Sequence, residues 1–154
     1  MKGTDAMLAD HKMIRKLLAE FRLDNPRFPQ IAETAHRIIA GHAWFEDTLF
    51  FPAVEKSPQL ARCFTAELYQ EHRDIETLIA LIRSPKTDAA LVDGHRLQFL
   101  TLMETHFRKE EDALFPLTER ILDAEGLNAL GEAMRARHAD SRAAAEHALQ
   151  KTTA

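Results

Sequence analysis

The sequence predicts an all-α fold, an antiparallel up-and-down four-helix bundle with a short fifth helix at the C-terminus. Three observations predict it. Apolar residues recur at three- and four-residue spacing through long stretches, as in Leu8, Ile14, Leu17, Leu18 and Phe21. Turn-forming residues are few and bunched, so that DNPRFP, KSP and SPKTD cut the chain into long segments joined by short connections. Connections of a few residues allow only neighbouring, reversed helices, which is the up-and-down arrangement.

Taken in order, Asp5 is positioned to cap a first helix that ends at DNPRFP. A second helix runs from about Pro29, in its first turn, to about Glu55, and Pro52 is expected to kink or loosen its end. The third, from about Gln59 to Arg83, carries Phe64, Leu68, Ile75, Ile79 and Ile82 along one side. A fourth extends from Ala89 or Asp93 to about Leu122, bent near Pro116. After Asp123 to Gly126, a more polar fifth helix covers about Leu127 to His147. With 154 residues, the chain forms one domain, residues 1–154, with the bundle over about 5–122 and the last helix over about 127–148.

Composition narrows the function classes. The chain is 45% hydrophobic and 29% charged, with a formal net charge of -4, and its basic residues are scattered, which points away from nucleic acid. No apolar run approaches a membrane span and the N-terminus lacks a secretory apolar core, so the expected address is the cytoplasm, with no membrane partner. Cys63 is the single cysteine, which rules out an intrachain disulfide and a thiolate metal cluster. Its expected role is that of a small helix residue. No nucleophile arrangement, phosphate-cradling glycine loop or dinucleotide fingerprint is present.

The chemistry sits in a pattern that is written twice. His42 to Pro52 reads HAWFEDTLFFP and His106 to Pro116 reads HFRKEEDALFP. Positions four apart share a helix face, so His42 with Glu46, and His106 with Glu110, each aim an imidazole and a carboxylate at one spot. Their same-face neighbours are apolar, among them Ile38, Ile39, Phe45, Leu49, Leu102, Met103 and Leu114. A carboxylate on such a face needs a cation or several hydrogen bonds to offset its desolvation, and two at matched places favour one shared metal site over a pair of surface ion pairs. His11 and His72 also lie among the apolar positions of their helices. The points halfway between successive members of His11, His42, His72 and His106 fall at the three chain breaks, so all four histidines belong to one level of the bundle. His36 and His95 fall off that level, and His138 and His147 lie on the polar last segment. Trp44, Phe45, Phe50, Phe51, Phe107 and Phe115 read first as packing.

A lone His on helix one, HxxxE on helix two, a His on helix three and HxxxE on helix four, with aromatic-Pro closing both HxxxE segments, resembles the hemerythrin-like (HHE cation-binding) domains of the four-histidine type. The resemblance implies a non-haem di-iron centre. His11, His42, His72 and His106 would be terminal ligands, Glu46 and Glu110 would bridge two iron ions, and an oxo or hydroxo group from solvent would form a third bridge. Oxygen-carrying members have a second histidine one turn from the one on helix three, where this chain offers Leu68 and Glu76. Fewer imidazoles leave exchangeable positions, which favours reaction with dioxygen, peroxide or nitric oxide. The ligand set suits iron by type as well, with manganese or zinc also compatible.

Around these residues, Glu71 is placed to orient a ligand histidine or else to be a surface carboxylate. Glu76 is a candidate further ligand or outer partner, or part of a solvated face, and Tyr69 is a hydrogen-bond donor near the site or a core residue. Three readings stay open from the sequence: a protein of sensing, detoxification or iron supply and iron-sulfur repair, an iron- or oxygen-responsive interaction module without turnover, and a plain structural helical bundle with no metal. The protein partner is not named by the sequence.

Overall fold

The structure, a computed structural model, describes residues 1–60 and 62–150, excepting the side chains of Arg62 and Cys63, so the expectation for Cys63 lies outside the described residues. Helix α1 (Gly3–Leu18) begins without a side-chain cap, and Asp5 lies inside its first turn, where a carboxylate complements the positive end of the helix dipole. The break after it is organised by Asn25, whose Oδ1 accepts the Arg27 N–H at 2.8 Å. Helix α2 (Phe28–Phe45) starts with Pro29 in its first turn and continues through a widened π-helical turn, Glu46–Phe50, into α3 (Phe51–Glu55). Helix α4 covers Arg62–Arg83. Helix α5 (Ala89–Lys109) is capped by Asp88, whose side chain accepts the Ala90 N–H at 3.0 Å. It passes through a second π-helical turn, Glu110–Leu114, into α6 (Phe115–Ile121). Helix α7 (Ala124–Gln150) extends a few residues beyond its expected bounds at both ends.

The two π-helical turns explain the irregularity that the prolines announce. Proline removes an N–H, and its ring collides with the carbonyl four residues before it. Here the preceding residue closes a longer ring instead, Phe51 N–H to the Glu46 carbonyl and Phe115 N–H to the Glu110 carbonyl. Both turns therefore begin at the glutamate of HxxxE.

Side-chain contacts fix the order α1, α2, α4, α5 around the bundle, each antiparallel to its neighbour. Asp10 meets His42, Asp47 meets His72, Lys109 meets Glu67, and Arg15 meets Glu104. The core falls into two apolar clusters. One gathers Ile14, Leu17, Phe21, Ile31, Ile79 and Phe99, and the other gathers Met7, Phe45, Phe50, Phe51, Leu68 and Leu114. In every one of the four helices the apolar spacing places one histidine between a member of the first cluster and a member of the second, as His72 lies between Leu68 and Ile75.

Helix α7 runs parallel to α1 and packs on α1 and α2 through buried Leu127, Leu130, Met134, Ala145 and Ala148. Glycine permits the closest approaches. A Cβ on Gly3 would stand 2.6 Å from Leu130 Cβ, and one on Gly131 would overlap the Met1 carbonyl. Among the described residues, no helix is long and apolar enough to cross a membrane.

Candidate metal centre

Between the two apolar clusters, six buried side chains converge. His11, Glu46 and Glu110 are fully buried, and His42, His72 and His106 nearly so. They form two groups of four potential donor atoms, each group lying within 4.8 Å. His11 and His42 complete one group and His72 and His106 the other, while Glu46 and Glu110 belong to both. Each glutamate divides its oxygens between the groups. Glu46 Oε1 lies 3.1 Å from His42 Nε2 and Oε2 lies 2.8 Å from His72 Nε2. Glu110 Oε1 lies 3.1 Å from His106 Nε2 and Oε2 lies 3.1 Å from His11 Nε2.

These approaches are close without being hydrogen bonds. All four oxygens of Glu46 and Glu110, and the Nε2 atoms of His11 and His42, are buried with no hydrogen bond of acceptable geometry. Such orphaned groups are rare in protein interiors. His72 Nε2 and His106 Nε2 face each other at 3.0 Å. With ligand bonds of about 2.0–2.1 Å, two donors at adjacent corners of a roughly right-angled site stand about 3 Å apart, so these separations are those of atoms sharing a cation. The residues fit a metal-binding site, in two groups of potential donors that share both carboxylates.

A second layer fixes the direction of every imidazole. His42 Nδ1–H donates to Asp10 Oδ2 at 2.9 Å, and His11 Nδ1–H donates to Glu111 Oε1 at 2.8 Å. His72 Nδ1–H donates to Asp47 Oδ1 at 2.7 Å, and His106 Nδ1–H to Glu71 Oε1 at 3.4 Å. With the proton held on Nδ1, Nε2 is left to face inward, free to act as a donor atom. The outer carboxylates are themselves braced. Glu111 Oε1 accepts Arg15 at 2.6 Å, Glu71 Oε2 accepts Lys109 at 2.9 Å, and Asp10 Oδ1 accepts His138 Nδ1–H.

The electrostatics follow from packing six carboxylates, Glu46 and Glu110 within and Asp10, Asp47, Glu71 and Glu111 around, against four imidazoles. Burial alone would lower the His42 pKa, but Glu46 and Asp10 outweigh it and push it up to about 10. His72 likewise rises to about 9 against its burial, held by Asp47 and Glu46. His106 is raised well above the usual imidazole range, again despite burial, by Glu110 above all. Glu46 is held well below the usual carboxylate range, because the histidines around it overcome its desolvation. The layer demands positive charge at its centre, supplied by protons on imidazole or by a metal.

The structure thus brings all six of the expected His and Glu residues together. Glu71 does contact a histidine of the layer, but that histidine is His106 across the bundle and not its neighbour His72. Glu76 is exposed and takes up His36 Nε2 at 2.7 Å. Tyr69 packs edge-on against Phe51 at 5.1 Å, and burial followed by nearby Glu55 raises its pKa to about 12, so it serves the wall of the layer through Phe51, which stacks on His72. Two expected core positions turn outward. Trp44 is 50% exposed beneath the Arg137 guanidinium, and Leu49 is 38% exposed.

Asp10, Asp47, Glu111 and His138 are neighbours of the layer that the spacing argument does not single out. A signal for the carboxylates exists in the sequence: an acidic residue directly precedes each lone histidine (Asp10-His11, Glu71-His72) and directly follows each HxxxE (Glu46-Asp47, Glu110-Glu111).

A family model described as the hemerythrin HHE cation binding domain matches the chain twice, over residues 2–94 and 63–154. The first match spans His11, His42, Glu46 and His72, and the second spans His72, His106, Glu110 and His138. No curated protein and no solved structure matched the chain.

Proposed function

Because the chain belongs to the hemerythrin HHE cation-binding domain family, we propose that its buried layer holds two non-haem iron ions and offers them to a small ligand: dioxygen, peroxide or nitric oxide. The observation that carries this reading is the division of Glu46 and Glu110, each with one oxygen toward each histidine pair. His11 and His42 would be the terminal ligands of one ion and His72 and His106 those of the other. Mixed imidazole and carboxylate donors suit iron, and the same set accepts manganese or zinc. When bound, iron supplies a Lewis-acidic and redox-active centre at which such ligands react.

The protein around the layer supports a small ligand. A cavity of about 20 Å³ touches His42, His72 and His106, and Ile39, Met103 and Phe107 form its apolar walls. That is room for about one water-sized molecule. Ala40, Ala43, His72 and Glu76 line both this cavity and an open surface groove of about 540 Å³, which supports the face between α2 and α4 as the route of entry. The rings of Phe107, stacked on His11 at 3.9 Å, and of Phe51, stacked on His72 at 5.6 Å, keep bulk water from the other sides. Sensing and detoxification both begin with this binding step, and turnover separates them; iron supply would draw on the metal ions themselves.

The test is elemental analysis of anaerobically prepared protein, followed by optical spectra on adding oxygen, peroxide or nitric oxide. About two irons per chain and new near-ultraviolet bands are expected. Two manganese or zinc ions would correct the metal. No bound metal after ferrous reconstitution would overturn the reading.

A further inference from the structure

We propose that His138, on α7, is a positioning residue for the iron held by His11 and His42, acting through Asp10 on His42. The inference rests on the two-iron reading above. Asp10 is 2% exposed and spends both oxygens on imidazoles from different helices: Oδ2 on His42 of α2 and Oδ1 on His138 of α7. A carboxylate held at one oxygen still turns about its terminal bond, which is broad and soft. The second hydrogen bond fixes its plane, and with it the direction in which the His42 ring presents Nε2. The same job is done for Glu111 by Arg15 and for Glu71 by Lys109, which are residues of the four-helix bundle itself. For Asp10 alone, among these three, the brace comes from the fifth helix.

The register of that brace is built in. Gly3 and Asp10 are separated by the same number of residues as Gly131 and His138, and the parallel run of α1 and α7 carries the close glycine contact at one end into the Asp10–His138 contact two turns on. His138 is partly exposed, at 21% of its side chain, so it is not a filler of the apolar core whose removal would collapse the packing. It does not itself join either group of candidate donors.

The experiment compares wild-type protein with His138→Leu, which keeps bulk and removes the donor, and His138→Gln, which keeps a donor. Each is loaded with ferrous iron, exposed to a chelator for timed intervals, and assayed for iron per chain; metal-free helicity and thermal midpoint are measured in parallel. In His138→Leu one of the two irons is expected to leave about tenfold faster, the lower end of what loss of an outer partner costs in metal retention. The second iron and the metal-free midpoint should match wild type, and His138→Gln should restore most of the retention. In a His42→Ala background, which already lacks the target ligand, His138→Leu should have no further effect. Wild-type retention in His138→Leu, equal loss of both irons, or lowered helicity of its metal-free form would each overturn the proposal. A wild-type protein that takes up no iron would instead bring down the two-iron reading, and the inference with it.

Discussion

Glu46 and Glu110 have no exposed surface and no hydrogen-bond partner of good geometry, a combination that is strongly unfavourable for an ionised carboxylate unless cations surround it. Replacing Glu46 by Gln keeps the shape and removes the charge shared by both histidine pairs, so iron per chain should fall from about two to one or fewer with helicity unchanged, as read by elemental analysis and circular dichroism. In metal-free protein the histidines carry the balancing charge, and the sign of the pH dependence follows. Their folded-state pKa values, about 10 for His42 and about 9 for His72, lie above the ordinary imidazole value of about 6.5. Stability from these groups is therefore fully present below about pH 6.5 and lost as pH rises through the range 9 to 10. Denaturant unfolding of metal-free protein at a series of pH values should show a midpoint that falls over this alkaline window; a flat profile would contradict it. At this scale the sequence was informative about the six donors, because each sits at helical spacing among apolar residues. It was ambiguous about Asp10, Asp47 and Glu111: their placement beside the histidines and HxxxE motifs recurs, but a carboxylate there looks the same in sequence whether it faces solvent or another helix. Trp44 misled for the opposite reason, since its size argues for burial while the Arg137 guanidinium 4.5 Å above its ring covers it at the surface.

The elements that aim the donors are not plain helices. Pro52 and Pro116 signal irregularity, yet its form, a π-helical turn starting at each glutamate, emerges only in the fold. Pro116→Ala restores an N–H and allows the ordinary ladder to close through Asp112, tightening the turn that carries Glu110 and Glu111. Helicity should hold or rise while iron affinity drops, by about tenfold if Glu111 loses its grip on His11; unchanged affinity in a titration against a competing chelator would show that the turn is dispensable. The wall between α2 and α4 offers a separate test. Ala43→Phe narrows the passage beside His72 without replacing any of the six His and Glu residues, so iron content should stay near two while the association rate of nitric oxide or azide, followed by stopped-flow absorbance, falls by an order of magnitude or more. An unchanged rate would place the entry elsewhere. The close seating of α7 is likewise invisible in the sequence, where Gly3 and Gly131 are two unremarkable glycines far apart in the chain. Gly131→Ala should cost about 1–3 kcal/mol in unfolding free energy through overpacking against the Met1 backbone.

At the level of the whole molecule, a charged layer lies across the middle of an apolar core, which explains why helix count and order were legible from periodicity and breaks alone while the division of that core was not. A metal bound to this layer would join four helices at once, so loading should raise the thermal midpoint, and acid should reverse it as protons compete with the metal for the imidazoles. Metal retention followed by dialysis across pH 7 to 4 checks this, and full retention to pH 4 would speak against four imidazole ligands. The alternation of acidic neighbours has a consequence for modularity. Each αα-hairpin of the bundle contributes two histidines and one glutamate, and supplies the outer carboxylate for its own second histidine, Asp10 for His42 and Glu71 for His106. The carboxylate for each first histidine is borrowed from the opposite hairpin, Glu111 for His11 and Asp47 for His72. Neither hairpin is self-sufficient, and the smallest unit that closes the centre is a pair of them, whether joined in one chain, as here, or brought together from two.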